Sequence, residues 1–227
     1  MRQIESKHPP GTVGVIIGSL ARYRALFTSL DRLRVPKGTT LIYAESADIA
    51  RNCNSLVDSM TGEWLWIMGD DHRFGPDILM KLLDREVDII VPLVSMRNPP
   101  FDPVIYKTLT MDGTISQLYS WDQLPNSGLI QVEAAGTAGM LVKRHVFAVT
   151  TKPWFGFQEH ASEDIVFCWK ARAASFKIHA DLDQSMTHIT PCELEPKKDK
   201  SGKWKVVVTV CGQIVNQPKE ASDFATP

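Results

Sequence analysis

Long apolar runs are missing from this sequence, and no stretch is long enough to cross a bilayer as a helix. The first ten residues are polar, so they have none of the apolar core of a signal peptide. Cysteine is also scarce, with four residues in 227 and no two close enough to form a paired metal-binding or redox motif. We therefore expect a soluble, cytoplasmic protein with free thiols and no membrane partner.

Strong net charge is absent as well. The formal charge of −1 at pH 7 excludes a global basic field of the kind that attracts nucleic acids or acidic membranes. The lysines at positions 197, 198, 200, 203 and 205 form a local basic group that could contact phosphates. Charged residues in a linker are more often simply solvated, so this group is weak evidence for a nucleic-acid partner.

Apolar residues are plentiful, at 44% of the chain, which is enough for one sizeable core. Between residues 12 and 94, short apolar runs alternate with segments that repeat apolar residues at helical spacing. The predicted strands cover residues 12–18, 40–44, 63–68 and 87–94, and the predicted helices cover residues 21–34, 49–60 and 77–85. This alternation predicts an α/β fold with a parallel sheet flanked by helices.

The pattern changes after residue 94, where a proline-rich segment begins. The later predicted elements are a hairpin turned at residues 111–113, strands 131–135 and 140–142, a helix at 163–174 capped by Ser162 and a strand at 176–180. After these we expect a charged linker at 193–200, a β-hairpin made of 203–210 and 213–215, and a disordered end at 216–227. The sequence therefore predicts one large domain followed by a β-hairpin tail.

Two carboxylates and an imidazole, Asp70, Asp71 and His72, follow the third predicted strand directly. Open α/β sheets bind their ligands at this carboxyl end of the strands. Carboxylate and imidazole groups together can hold a divalent cation, and oxygen-rich sites suit Mg²⁺ or Mn²⁺. The alternative is a polar turn in which Asp71 caps the next helix, and these residues alone do not decide between the two.

Other residues also have both a functional and a structural interpretation. Arg51 lies in the first turn of a helix, where it could join a phosphate or base site or could simply be solvated. The small residues around Gly136 and Gly139 indicate a close approach by a ligand or another strand, or a β-bulge. Trp154 and Phe155 could offer a stacking surface to a sugar or could fill the core.

Taken together, these motifs resemble the glycosyltransferases of the GT-A fold, especially family-2-like enzymes and their small phage or bacterial relatives. The resemblance covers residues 12–191 and rests on four stretches in the family order: WLWIMGDDHRFGPDIL, DIIVPLVSMRNPPFDPVIY, AAGTAGMLVKRHVF with PWF, and SEDIVFCWKARAASFKIHADLDQSMTHI. It implies a Rossmann-like, mixed but mostly parallel sheet in a catalytic domain of residues 1–191. A donor-binding half would span about 12–95 and an acceptor-binding half about 96–191, with 192–227 as linker, hairpin and tail.

The resemblance implies a nucleotide-diphosphate sugar as donor and Mn²⁺ or Mg²⁺ as cofactor. It favours Asp70, His72 and His188 as metal ligands, with Asp71 bonding the ribose of the donor or supporting the site. Gly69 stands where many relatives have the first aspartate, so an assignment of Asp71 to the metal remains open. Without the resemblance, His188 would more often be an ordinary histidine after a strand.

Glu163 and Asp164 resemble the Glu-Asp pair of the family, which implies that Asp164 is the general base of an inverting enzyme. Glu163 would bind the acceptor or support Asp164. A carboxylate at a helix N-terminus stays ionised, as a base must, and a neighbouring acid raises its basicity again. The structural alternative is that both acids only cap the helix.

The remaining site residues follow from the same resemblance. Arg51, Asp70, Asp71 and Gly139 would bind the nucleotide-sugar, and the aromatic residues 154 and 155 would bind the acceptor. The acceptor would be a carbohydrate or, with less support, a modified DNA base. Three alternatives stay open: a retaining glycosyltransferase, a nucleotidyltransferase on the same fold, and a non-catalytic domain that binds nucleotides or carbohydrates.

Overall fold

The computed structural model describes residues 1–18, 24–110, 116–198, 204–210 and 213–215. Its helices are α1 (Arg24–Arg32), α2 (Ile49–Ser59), α3 (Ile78–Asp84), α4 (Arg144–Val149) and α5 (Glu163–Ala173), with a 3₁₀ turn at Trp121–Gln123. Its strands are β1 (Arg2–Ile4), β2 (Thr12–Ile17), β3 (Arg34–Pro36), β4 (Thr40–Glu45), β5 (Trp64–Gly69), β6 (His72–Arg73), β7 (Ile89–Leu93), β8 (Ile105–Leu109), β9 (Ser116–Leu118), β10 (Leu129–Val132), β11 (Ala134–Ala135), β12 (Met140–Lys143), β13 (Ile178–Ser185), β14 (Thr187–His188), β15 (Cys192–Lys198), β16 (Trp204–Val210) and β17 (Gln213–Val215). Within these ranges, no helix combines the length and the apolar character that crossing a membrane requires.

A seven-stranded central sheet with the order β10-β13-β7-β12-β5-β2-β4 organises the described part of the chain. Strand β2 is parallel to β4 and β5, and β7 is parallel to β13. Strand β12 is antiparallel to both β5 and β7, and β10 is antiparallel to β13. Five strands therefore run one way and two the other, which confirms the predicted α/β fold with a mixed, mostly parallel sheet.

Helices cover both faces of this sheet, so its central strands are apolar along their whole length. Side chains of β5 alternate between the two faces. Leu65 and Ile67 pack into a core shared with α2, α4 and α5. Trp64, Trp66 and Met68 pack into a second core shared with α1 and α3. This two-sided burial fixes the position of the residues that follow β5.

The position of β12 differs from the simplest expectation for βα repeats. Instead of lying next to β5, strand β7 is separated from it by β12, which comes from much later in the chain. Segment 131–135, predicted as one strand, is divided: β10 joins the central sheet, and β11 joins β8 and β9 in a three-stranded antiparallel sheet. The pairing of β8 with β9 confirms the predicted hairpin, whose turn at residues 111–113 lies outside the described residues.

The predicted charged linker is wrong over residues 193–198, because Cys192–Lys198 form strand β15. It pairs antiparallel with β16, which in turn pairs with β17, so the tail is a three-stranded sheet. Strand β15 is at the edge of that sheet, a place where charged residues and proline are well tolerated. The predicted β16–β17 hairpin is confirmed, while its turn at 211–212 and the segment 216–227 lie outside the described residues.

Candidate functional site

A cleft of about 420 Å³ opens at the carboxyl ends of β2 and β5. This is the edge where the sequence predicts a ligand site. Its charged and histidine side chains come from four parts of the described chain: the turn after β5 with β6, the loop after β7, the first residues of α5 and strand β14. The polar lining includes Asp70, Asp71, His72, Arg97, Glu163, Asp164 and His188.

Two very short strands bring His72 and His188 together. Strand β6 pairs antiparallel with β14, and His188 lies directly opposite His72 in that register. The two imidazole rings stack, with centroids 4.6 Å apart and planes inclined by 19°. The backbone N–H of Ile189 also donates to the carbonyl of Asp71 at 2.8 Å. One potential ligand atom each from Asp71, His72 and His188 therefore lies within 4.8 Å of the others.

The contacts of His72 determine which of its ring nitrogens has the proton. Its Nδ1 lies 3.2 Å from the carbonyl oxygen of Gly69 and 3.0 Å from Oδ1 of Asp71. Both oxygens only accept, so Nδ1 must carry the hydrogen and donate it. The Nε2 atom then has a lone pair, and this buried atom has no hydrogen-bond partner among the described residues. A buried lone pair held this way by an oriented ring is the usual form of a histidine metal ligand.

The contacts of His188 lead to the same tautomer. Its Nδ1 lies 2.9 Å from the carbonyl oxygen of Ser95, which can only accept. Its Nε2 receives a hydrogen bond from Nε of Arg97 at 2.8 Å, and a guanidinium can only donate. The ring is therefore protonated at Nδ1, and Nε2 presents its lone pair toward the cleft. Arg97 also donates from its terminal nitrogen to Oδ2 of Asp71.

Asp71 is buried but remains an anion. Burial alone would raise the pKa of its carboxyl group. The hydrogen bond from Nδ1 of His72 and the positive charge of Arg97, which contacts both Asp71 and His188, hold the pKa of Asp71 well below its ordinary value despite burial. A permanently ionised carboxylate next to two imidazole lone pairs is a donor set suited to a divalent cation.

Asp70 is not part of this group, which corrects the favoured assignment of Asp70 as a metal ligand. Its Oδ2 accepts a hydrogen bond from the backbone N–H of Gly18 at 3.0 Å, at the end of β2. Successive side chains after β5 point in different directions, so Asp70 faces β2 while Asp71 faces the histidines. The open alternative, with Asp71 beside His72 and His188, matches the geometry. Asp70 still lines the cleft, so a role for it in donor binding stays a prediction.

The acids at the start of α5 face the same cleft. Oδ1 of Asp164 accepts hydrogen bonds from the hydroxyl of Ser162 and from the backbone N–H of Ile165, the latter at 2.8 Å. Its Oδ2 lies on the side of Gly136, where a Cβ atom would be 3.6 Å from it. Ser162 is the N-cap residue of α5 as predicted, but its hydroxyl orients Asp164 and makes no cap hydrogen bond to the described backbone. One carboxylate oxygen of Asp164 is held and the other is directed over the small residues of the cleft.

Both acids hold protons more tightly than usual. Burial raises the pKa of Glu163 to about 7, and the charge of Asp164 adds to this effect. Burial also raises the pKa of Asp164, although the hydrogen bonds from Ser162 and Ile165 oppose the shift. A carboxylate with a raised pKa is a stronger base, so this pair has the properties that proton transfer near neutral pH requires.

The structure does not bring the other predicted residues to the cleft. Arg51 is exposed on α2, and the neighbouring Asn52 lines the cleft instead. Gly139 is enclosed by protein, because a Cβ atom there would be 2.8 Å from Cγ of Pro92 in β7. The close approach of Pro92 and Met186, and not of a ligand, therefore leaves no room for a side chain here, and the positive φ of 76° is one that glycine adopts readily.

Trp154 and Phe155 are buried in the core, which corrects their assignment to acceptor binding. The indole N–H of Trp154 donates to the carbonyl of Phe147, and the ring of Phe155 stacks on Phe167 of α5 with centroids 4.7 Å apart. The core-filling alternative therefore holds for both aromatic side chains. Phe157 of the same segment is exposed.

Arg97 is a charged site residue that the sequence does not identify, since it belongs to the proline-rich segment after strand 87–94. A signal was available: it is the first charged residue after β7, and β7 ends at the same edge of the sheet as β5. What could not be seen is that the loop turns back over this edge and places the guanidinium on Asp71 and His188.

No protein-family model and no curated protein sequence matches the chain. Solved structures do resemble it. The A197 protein from STIV superposes with a TM-score of 0.54 at 12% identity, covering 92% of this chain and 98% of that one. GalNAc-T7, solved with UDP, GalNAc and Mn²⁺, superposes with a TM-score of 0.53 at 9% identity, covering 79% of this chain and 43% of that one.

Identities this low show the fold and nothing finer. The chain has a GT-A-like fold, in agreement with the resemblance of its motifs, and one structural neighbour is a glycosyltransferase solved with a nucleotide, a sugar and a metal ion. The described residues add a group able to hold a metal ion, Asp71, His72 and His188, at the ligand-binding edge of that fold.

Proposed function

We propose that this protein is a metal-dependent glycosyltransferase that moves a sugar from a nucleotide-diphosphate donor to an acceptor hydroxyl. The observation that supports this most is that one cleft contains both the Asp71–His72–His188 group and the Asp164 carboxylate. The first could anchor a diphosphate through a cation, and the second could accept a proton. A glycosyltransferase needs the group that binds the diphosphate and the group that accepts the proton close enough together for one bound sugar nucleotide to reach both.

The residues fit a divalent cation. His72 has a buried nitrogen lone pair without a hydrogen-bond partner in the described part of the chain, and a bound cation would remove that cost. Asp71 contributes a fixed negative charge, and His188 contributes a second lone pair. When bound, Mn²⁺ or Mg²⁺ would neutralise the charge that develops on the departing diphosphate. His72 and His188 are held by backbone carbonyls, so these ligands would need little rearrangement.

Asp164 is suited to act as the base of an inverting transfer. Its Oδ1 is fixed by Ser162 and by the start of α5, while Oδ2 has no hydrogen-bond donor among the described residues and is available to take the proton of an acceptor hydroxyl. Because the pKa of Glu163 is raised to about 7, this side chain is partly protonated near neutral pH, which limits the negative charge beside Asp164. Because the base must be ionised, we expect the rate to rise with pH through the raised pKa of Asp164.

The test compares binding and turnover in matched variants. UDP is the first nucleotide to try, because the GalNAc-T7 structure contains it. We expect Mn²⁺ with UDP to raise the melting temperature of the wild type, and mass spectrometry to detect UDP released from a UDP-sugar panel. Asp164→Asn should still bind UDP with Mn²⁺ but should release it at least about 100-fold more slowly. Asp58→Asn, an exposed carboxylate paired with Lys152, is the control and should match the wild type.

The outcomes separate the alternatives. Turnover by Asp164→Asn at the wild-type rate would reject Asp164 as the base and would favour a retaining transferase or a nucleotidyltransferase. Nucleotide binding without any product across a full panel of donors would favour a non-catalytic binding domain. Failure of Mn²⁺ to bind the wild type, with or without nucleotide, would reject the metal-dependent function.

A further inference from the structure

The guanidinium of Arg97 contacts the same two atoms that a metal ion would use. It donates to Nε2 of His188 at 2.8 Å and to Oδ2 of Asp71. Both acceptors face each other across 3.2 Å, and neither has a hydrogen to give the other once His188 is protonated at Nδ1. Two acceptors this close repel unless a positive group lies between them. In this arrangement Arg97 is that positive group.

The spacing of these acceptors is also the spacing of ligands around a metal ion. Ligands at about 2.1 Å from a cation and at right angles to each other are about 3 Å apart. The 3.2 Å between Oδ2 of Asp71 and Nε2 of His188 fits this distance. A cation and the guanidinium would therefore need the same space and the same lone pairs.

We propose that Arg97 is an internal counter-ion that competes with the divalent cation for Asp71 and His188, so the cation can bind only when Arg97 moves away. This inference rests on the proposed metal site. Arg97 keeps the anion of Asp71 paired in the metal-free protein, which avoids the large cost of an uncompensated buried charge. Arg97 thereby lowers the affinity of the site for a free metal ion. A cation binds stably only when further ligands, such as the oxygens of a diphosphate, add enough binding energy to displace the guanidinium.

Arg97 is able to move without unfolding its surroundings. Its side chain is 54% exposed, and it lies in the loop between β7 and β8. Among the residues that the structure describes, the two contacts given above are the hydrogen bonds of its side chain, whereas the side chain of Asp71 is 7% exposed and fixed from several sides. Rotation of the arginine into solvent breaks those two contacts and leaves the ligand atoms in place.

The test measures Mn²⁺ affinity without nucleotide, by isothermal titration calorimetry, in the wild type and three variants. In Arg97→Gln the competitor is lost, so we expect Mn²⁺ to bind about tenfold or more tightly. Arg97→Lys keeps the positive charge but loses the bidentate contact, and we expect its Mn²⁺ affinity to lie between those of the wild type and Arg97→Gln. Arg73→Gln removes an exposed positive charge one residue from His72, and we expect less than a twofold change.

The results separate this inference from the proposed function. Equal or weaker Mn²⁺ binding in Arg97→Gln, with clear binding by the wild type, would overturn the competition and leave the metal site intact. An equal gain in Arg73→Gln would show a general charge effect and would also overturn it. Absence of Mn²⁺ binding in every protein would reject both the metal site and the inference. Melting temperatures within about 2 °C of the wild type would show that the variants are folded.

Discussion

At residue 69 the backbone passes so close to Asp71 that only a hydrogen fits in place of a side chain. A Cβ atom there would be 2.7 Å from Oδ1 of Asp71 and 3.4 Å from Nδ1 of His72. By the resemblance, Gly69 is the position where many relatives have aspartate, and here the space is taken by the Asp71–His72 contact. The lack of a side chain at residue 69 therefore allows Asp71 to approach His72.

Gly69→Ala should weaken the candidate metal site more than it weakens the fold. The new methyl group would displace Asp71 from His72, and we expect Mn²⁺ affinity to fall about tenfold or more, with a loss of about 1–3 kcal/mol in stability. Calorimetric Mn²⁺ titration and urea unfolding measure the two effects. Gly75→Ala is the matched control, because a Cβ atom at Gly75 has no neighbour within 4 Å. An Mn²⁺ affinity equal to that of the wild type in Gly69→Ala would contradict this account.

At the scale of elements, the side-chain amide of Asn54 links α2 to the segment before α5 by hydrogen bonds. Asn54 donates from Nδ2 to the carbonyl of Phe155 at 2.8 Å and to the carbonyl of Ala50 at 2.7 Å. Its Oδ1 accepts from the backbone N–H groups of Trp154 and Phe155 at 2.9 and 3.2 Å. The side chain of Asn54 therefore fixes the position of the aromatic segment relative to α2, and this segment leads to Glu163 and Asp164.

Asn54→Ala should destabilise the protein by about 2–4 kcal/mol, because it leaves backbone groups of the aromatic segment without partners. The free energy of unfolding from urea titration measures this. Ser55→Ala is the control, since Ser55 is exposed on the same helix and alanine is the better helix former. A loss in Asn54→Ala no larger than in the control would show that the aromatic rings alone hold the segment.

Local patterns in the sequence predict most helices and strands but not how the strands are ordered. The apolar residues at helical spacing identify α2, α3 and α5, and the side chain of Asp48 accepts a hydrogen bond from the N–H of Arg51 at the start of α2. The insertion of β12 between β5 and β7, and the pairing of β6 with β14, depend on contacts between distant residues. Such pairings have no local signal, and for this reason Arg97 was missed and Asp70 was preferred to Asp71.

At the scale of the whole molecule, the donor and acceptor halves predicted along the chain are interleaved in space. Strands β12 and β13, which come after residue 96, lie beside β5 and β7, which come before it. The division into two binding halves stays a prediction, but the halves share one sheet and one core. Mutations in either half are therefore expected to change the stability of the whole sheet.

The pH dependence of global stability should report the buried acid pair. The folded protein holds the proton of Glu163 up to about pH 7, whereas the ordinary pKa is 4.5, so the folded state binds more protons between these values. Stability should consequently decrease as pH rises through this window, and Glu163→Gln should lack that decrease. We expect Glu163→Gln to gain about 1–3 kcal/mol relative to the wild type between pH 4.5 and 8.

Urea unfolding at several pH values measures this difference. Glu159→Gln removes an exposed carboxylate from the segment just before α5 and is the control, which should follow the wild type at every pH. Parallel curves for Glu163→Gln and the wild type would mean that Glu163 is already ionised across the range and that the raised pKa is wrong.

The pairing of His72 with His188 across two strands of two residues each also has a consequence for synthesis. During translation, the first partner leaves the ribosome long before the second, because 115 residues separate them in the sequence. Asp71 and His72 must then wait, unpaired with β14, until nearly all of the GT-A-like region has emerged. A nascent chain that stops short of residue 188 lacks one of the three residues of the proposed cation site, so truncated products should not bind a cation there.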